Sequence, residues 1–225
     1  MSNKIIWLAL FVFSLFIMGF STQKNRKVIF FGDSITEMGI QPGGYITKMK
    51  LLLQQQNITN YELLGAGISG NKVYDLYLRL EDDVLAKNPD IVVIYIGVND
   101  VWHKVLAGTG TDMDKFEKFY RAIIKKLQAN NIKVVLATPA AIGEKKDGDN
   151  KQDKDLDGYG YIVKKIGQDL SLPVCDLRSY FINYEAANNA NNTDRGLLTT
   201  DGVHLNDKGT DLVATELWNV IKEVK

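Results

Sequence analysis

Lys27-Val28-Ile29-Phe30-Phe31-Gly32-Asp33-Ser34-Ile35-Thr36 is the stretch on which the reading of this chain turns. Val28 to Phe31 is an unbroken apolar run, closed at once by Gly-Asp-Ser. Such a run predicts a strand buried on both faces, as strands of parallel sheets are, ending in a tight turn that presents a hydroxyl. In open α/β sheets the crevice beyond the carboxyl ends of the strands is where ligands bind. Ser34 is therefore a candidate nucleophile. Its structural counterpart is a Ser/Asp helix N-cap, and this stretch alone does not separate the two.

Working outward, strands and helices alternate. Gly44 to Gln56 carries Ile46, Met49, Leu52 and Leu53 on one side of a helix, and Tyr61 to Leu64 is a short strand. Lys72 to Leu85 is helical through Val73, Leu76, Leu80 and Val84. Ile91 to Ile96 is the strongest strand, introduced by Pro89-Asp90 and ended by Gly97. Thr111-x-x-Asp114 has the form of a capping box before a helix that buries Phe116, Phe119, Ile123 and Leu127. Lys133 to Ala137 and Val174-Cys175 are strands, and Leu156 to Leu170 and Asp207 to Val224 are helices. Gly143 to Lys154 and the asparagine-rich Asn183 to Asp194 are expected to be irregular and to rim the crevice. Five βα units imply one α/β domain with a parallel sheet between helical layers.

Composition narrows the function classes. The 225 residues carry 27 basic and 27 acidic side chains, so no basic field exists to recruit nucleic acid. The single cysteine, Cys175, cannot form an internal disulfide and reads as a buried strand residue. Residues 1–22 stand apart from the domain at 27–225. Lys4 precedes an apolar run from Ile5 to Phe20, and Gly19-Phe20-Ser21 offers a small-residue cleavage site near Ser21. A secretory signal, hence a secreted or periplasmic enzyme, is the expectation. An uncleaved anchor is the alternative, and only then is a membrane a partner. Asn57-Ile58-Thr59 and Asn191-Asn192-Thr193 are glycosylation sequons, relevant only in a eukaryotic source.

Three later stretches bear on Ser34. Gly65-Ala66-Gly67-Ile68-Ser69-Gly70 is a glycine-rich turn before a helix. A dinucleotide fingerprint would need to follow the first strand and be followed by an acidic ribose ligand, whereas this turn follows the second, so that reading is disfavoured. Free backbone N–H groups in such a turn can instead hold a negative oxygen. Gly97-Val98-Asn99-Asp100 brings an amide side chain to the same sheet edge. Asp201-Gly202-Val203-His204 sets a carboxylate three residues before an imidazole, close enough to curl back and orient it. Each signal alone has a bland counterpart in a cap or a turn. Together they supply a nucleophile, oxyanion donors and a base with its orienter.

In these four blocks, Gly32-Asp33-Ser34-Ile35-Thr36, Ile68-Ser69-Gly70, Gly97-Val98-Asn99-Asp100 and Asp201-Gly202-Val203-His204, the chain resembles the SGNH hydrolase superfamily, the GDSL-type esterases and lipases. Ile35 stands where the name-giving pattern has leucine. The resemblance implies a three-layer α/β/α fold with a five-stranded parallel sheet of flavodoxin-like order. It also implies Ser34 as nucleophile, His204 as base and Asp201 as its orienter. The oxyanion would meet the Ser34 and Gly70 N–H groups and the Asn99 amide, while Asp33 and Asp100 are structural.

Trp102, His103 and Tyr45 are candidate substrate contacts, forming a flat, hydrogen-bonding wall. With the charged stretch Lys145 to Lys154 and the asparagine-rich Asn188 to Asp194, they suggest a polar substrate: a small ester or acylated saccharide with a short, acetyl-like acyl group. Asp153-x-Asp155-x-Asp157-Gly158 opens like a calcium loop but has Lys164 at its twelfth position in place of a bidentate glutamate, so no metal and no cofactor is expected. A lysophospholipase or lipase, an acyltransferase on the same site, and a non-catalytic carbohydrate- or envelope-binding module are the alternatives.

Overall fold

The computed structural model describes residues 25–225. The expected signal or anchor segment lies outside the described residues. Five strands form one parallel sheet: β1 (Arg26–Gly32), β2 (Tyr61–Gly67), β3 (Ile91–Tyr95), β4 (Lys133–Ala137) and β5 (Val174–Cys175), in the order β2-β1-β3-β4-β5. Phe30 aligns with Gly65 on one side and Val93 on the other, and Val93 with Val135. This register brings the carboxyl ends of β1, β2 and β3 level with one another.

The helices are α1 (Ser34–Gly39), α2 (Tyr45–Gln55), α3 (Val73–Asp83), α4 (Val98–Leu106), α5 (Met113–Ala129), α6 (Asp153–Leu170), α7 (Leu177–Asn188) and α8 (Asp207–Ile221). On one side of the sheet α2 packs against α8; α3, α5 and α6 pack in succession as a second layer. Every residue of β3 is buried, as are Val28 to Phe31 of β1. That is what a strand covered by helices on both faces requires, and it explains why both read as continuous apolar runs. The fold is the three-layer α/β/α arrangement that the resemblance implies, its sheet in flavodoxin-like order.

Three local expectations need correction. Thr111 does not open a capping box. Helix α5 begins at Met113 with Asp112 at its cap, and buried Thr111 turns instead to Asp100, whose carbonyl accepts its N–H at 3.0 Å. The stretch from Asn183 is not irregular throughout, because α7 runs on to Asn188. The irregular stretch from Gly143 stops before Lys154, because α6 opens at Asp153; Asp153, Asp155 and Asp157 lie in its opening turns, and Asp153 and Asp157 both grip the guanidinium of Arg178, at 2.7 and 2.8 Å.

Candidate active site

Ser34 is the first residue of α1. The chain leaves β1 through Gly32, and Asp33 caps the helix by accepting from the Ile35 N–H at 3.0 Å. The sequence left Ser34 between nucleophile and cap; Asp33 takes the cap and frees the hydroxyl. Ser34 Oγ lies 3.0 Å from His204 Nε2. On the other side of the ring, Nδ1 lies 2.7 Å from Asp201 Oδ2, while Asp201 Oδ1 accepts from the backbone N–H groups of Val203 and His204 at 2.9 and 2.8 Å. With a carboxylate acceptor at Nδ1, that nitrogen carries the proton, and Nε2 presents a lone pair to the serine hydroxyl. Partial burial pushes the Asp201 carboxyl upward, but the bonds from the His204 ring and the two N–H groups outweigh it. The group is held below the usual carboxylate range.

The turn after β2 and the start of α4 face Ser34 from the other side. Gly70 adopts φ +78°, a left-handed conformation natural to glycine, and its N–H, like that of Ser34, donates to no acceptor among the described residues. Asn99 is buried in the first turn of α4, which leaves β3 through Gly97 at φ +131°. One of its two amide N–H bonds goes to the Asn71 carbonyl at 3.1 Å, which fixes the amide and leaves the second N–H to serve a ligand. Ser34 N–H, Gly70 N–H and the Asn99 amide are thus three donors not consumed by the fold.

The family model for the GDSL-like lipase/acylhydrolase family matches residues 30–212. The chain belongs to this family. It is a carboxylic ester hydrolase of the GDSL type. An acetylxylan esterase of Geobacillus stearothermophilus is 32% identical over 176 residues, covering 70% of this chain and 78% of that protein. Among solved structures, the acetyl xylan esterase AlAXEase superposes with a TM-score of 0.86 at 59% identity, covering 87% of this chain and 99% of that one. A catalytic mutant of Axe2, an acetylxylan esterase from G. stearothermophilus, gives 0.77 at 27% identity, covering 90% and 96%.

Around this GDSL site the other expected residues fall unequally. Trp102 packs edge-on to His204, ring centroids 6.2 Å apart, and His103 lies against Trp102 at 5.8 Å and beside Gly70. Burial, then the positive charge of Lys72, holds the His103 imidazole below its usual value. Tyr45 is not at the mouth. It is fully buried, its hydroxyl sits 3.1 Å from Thr36 Oγ1, and its ring meets Phe30 and Tyr95 edge-on. It therefore cannot contact substrate; its place in the first turn of α2 points it inward, under α1.

Two positioning residues escaped the sequence reading. Glu144 is completely buried, and its carboxylate accepts from the N–H groups of Leu197 and Leu198, each at 2.7 Å, and from the N–H and hydroxyl of Thr199 at 2.5 and 2.8 Å. Thr199 Oγ1 in turn accepts from Gly202 N–H at 3.0 Å, so Glu144 anchors the loop that carries Asp201 and His204. On the oxyanion side, Arg79 of α3 donates to the Gly32 and Ala66 carbonyls at 2.8 and 3.0 Å and to Asn71 Oδ1 at 2.7 Å. One guanidinium thereby ties the ends of β1 and β2 to the Gly70–Asn71 turn.

Proposed function

We propose that this protein is an exported acetyl esterase that removes acetyl groups from a polar alcohol, an acetylated saccharide first, with Ser34, His204 and Asp201 acting as a triad. The observation that carries the reading is the unbroken chain from Ser34 Oγ through His204 to Asp201, at 3.0 and 2.7 Å. As His204 Nε2 takes the hydroxyl proton, Ser34 Oγ bonds to the ester carbonyl carbon, and the carbonyl oxygen gains the negative charge. That oxygen meets the Ser34 and Gly70 N–H groups and the Asn99 amide, where preformed donors act most strongly on charge as it develops. Collapse of the tetrahedral species breaks the carbon–oxygen bond to the alcohol, which departs with the proton from His204. Water, deprotonated by the same nitrogen, then releases acetate from Ser34.

The acetyl preference draws on relatives described as acetylxylan esterases. It draws also on the groove beside Asp201, whose walls are largely charged and amide side chains suited to a polar alcohol. Export draws on the signal-like pattern of residues 1–22, and the mass of the mature protein recovered outside the cytoplasm tests it.

Chemical labelling tests the triad. An organophosphonate should add to Ser34, as read by mass spectrometry of the peptide, and Ser34→Ala should abolish both the adduct and p-nitrophenyl acetate hydrolysis. An adduct elsewhere, or turnover surviving the substitution, would remove Ser34 from the role. A kcat/KM that rises from acetate to octanoate to palmitate esters would replace the acetyl reading with a lipase.

A further inference from the structure

The direction in which the alcohol leaves locates its binding surface. It must depart with the proton from His204 Nε2, so its sugar lies on the His204 side of Ser34. What borders His204 there is Trp102. Trp102 is also one wall of an open groove of about 290 Å³, whose other walls include Lys145, Lys151 and Gln152 of the loop after β4, Asp194, and Asp201 to Val203. The groove begins at Asp201, whose carboxylate touches the His204 ring. It thus adjoins the Asp201–His204 pair, and its volume is just below the ~300–1,000 Å³ of small-ligand sites.

The walls are fixed to one another. Gly143 N–H donates to the Gly202 carbonyl at 2.8 Å, and Glu144 N–H to the Asp194 carbonyl at 3.0 Å. Gln152 Nε2 donates to the Val101 carbonyl, one residue before Trp102, at 2.9 Å. Asn150 bridges Lys145 to Asp153, bracing the loop internally. A ligand entering the groove need not order it first, which lowers the cost of binding.

The lining chemistry narrows the occupant. Trp102 supplies a flat, half-buried apolar face, and its indole N–H donates to no acceptor among the described residues. The ammonium groups of Lys145 and Lys151 have no carboxylate partner among those residues either. Asp149, Asp194 and Asp201 line the same groove, so opposite charges are interspersed. That mixture offers no net field to a polyanion and no sleeve to an alkyl chain. It offers hydrogen bonds of both polarities around one aromatic face, which suits a neutral, hydroxyl-rich ring.

We propose that this groove is a second saccharide subsite, holding the sugar that adjoins the acetylated one, so that the enzyme selects acetylated oligosaccharides over acetylated monosaccharides. The proposal rests on the Ser34 acetyl-esterase reading. The test compares kcat/KM, per acetyl group, for p-nitrophenyl acetate and for acetylated xylose, xylobiose and xylotriose. The expected result is a gain of about tenfold from one sugar to two, equivalent to ~1.4 kcal/mol of added binding, with little further gain at three. Trp102→Ala should erase that gain. Because Trp102 also packs on His204, the ratio of disaccharide to monosaccharide is read rather than the absolute rate, and Lys151→Ala in the same groove should lower the same ratio. A flat series in which every saccharide is cleaved, or a ratio that neither substitution moves, would overturn the subsite and leave the esterase reading standing. Hydrolysis of p-nitrophenyl acetate with no acetylated saccharide cleaved would overturn the saccharide reading, and the subsite with it.

Discussion

Asp201 sets how far the loss of a single carboxylate should reach. It does two jobs: one oxygen receives the His204 Nδ1–H and the other receives two backbone N–H groups. An asparagine carries only one acceptor oxygen, so Asp201→Asn must leave one job undone. Its side chain is 46% exposed, so water can partly replace what is lost. The fall in kcat should be about 10², smaller than the ~10⁴ of the buried serine-protease aspartate. A loss as large as the protease value would show that water does not substitute there. Activity should also decline on acidification, because a protonated Nε2 cannot accept the Ser34 proton. Asn99 is a different kind of residue, since its free N–H gains most when the oxygen becomes negative. Asn99→Ala should therefore lower kcat by roughly 10²–10³ with KM nearly unchanged. Normal kcat with raised KM would make Asn99 a substrate-binding residue. The residues of this candidate set are those whose chemistry shows in their letters and spacing. Tyr45 was misread because an aromatic on an amphipathic helix gives no sign of whether it faces the crevice or the core; packing against Phe30 and Thr36 decides that.

Elements place these side chains, and here the sequence was readable in part. The strands were legible because apolar runs closed by glycine or proline are hard to read otherwise. Helix α7 was not, since Leu177-Arg-Ser-Tyr-Phe-Ile-Asn-Tyr-Glu spreads its apolar residues beyond one face, burying Leu177 and Phe181 but exposing Tyr180 and Ile182. The available signal was Asp176, whose side chain accepts from the Ser179 N–H at 3.3 Å as an N-cap just beyond β5. Glu144 was invisible for a related reason. It stands beside the charged stretch Lys145 to Lys154, where a glutamate reads as a solvated charge. Only the return of the chain at Leu197 to Thr199 surrounds it with donors. Glu144→Ala leaves those four donors buried without their acceptor, at ~1–3 kcal/mol for each that water cannot reach. The thermal midpoint should fall, and kcat should fall with it by at least about tenfold, because the loop bearing Asp201 and His204 loses its anchor. A lower midpoint with unchanged kcat would mean that Glu144 supports the fold and not the geometry of the pair.

Across the molecule, the same topology that gathers the site also buries charge behind it. In the order β2-β1-β3-β4-β5, β1 and β3 are neighbours though not consecutive, and Ser34 and Asn99 follow their ends. That is the switch point at which open α/β sheets form their binding crevice. The residues flanking the pair, Asp33 and Asp100, point inward and are almost wholly buried. Burial pushes the Asp33 carboxyl up to about 7 and that of Asp100 to about 6. Beneath the Lys145–Gly148 loop, burial likewise pushes Glu185 to about 7. Unfolded, each would titrate near 4. Between roughly pH 4 and 7 the folded chain therefore binds more protons than the unfolded one, and stability must fall as pH rises through that window. The limiting slope is ~1.4 kcal/mol per pH unit for each proton difference. Carboxyls held below their usual range, such as Asp201 and Asp176, act in the opposite sense, and their stabilisation is lost only as pH falls below about 4. His103, held neutral by burial, also favours higher pH, but it is one group against three. The thermal midpoint should thus be highest near pH 5 and decline toward pH 8. Asp33→Asn keeps the side-chain oxygen that caps Ile35 while removing the ionisation, so the decline should be shallower in this variant. A midpoint that rises from pH 5 to 8, or a slope that Asp33→Asn leaves untouched, would show that these buried acids do not govern the stability of the fold.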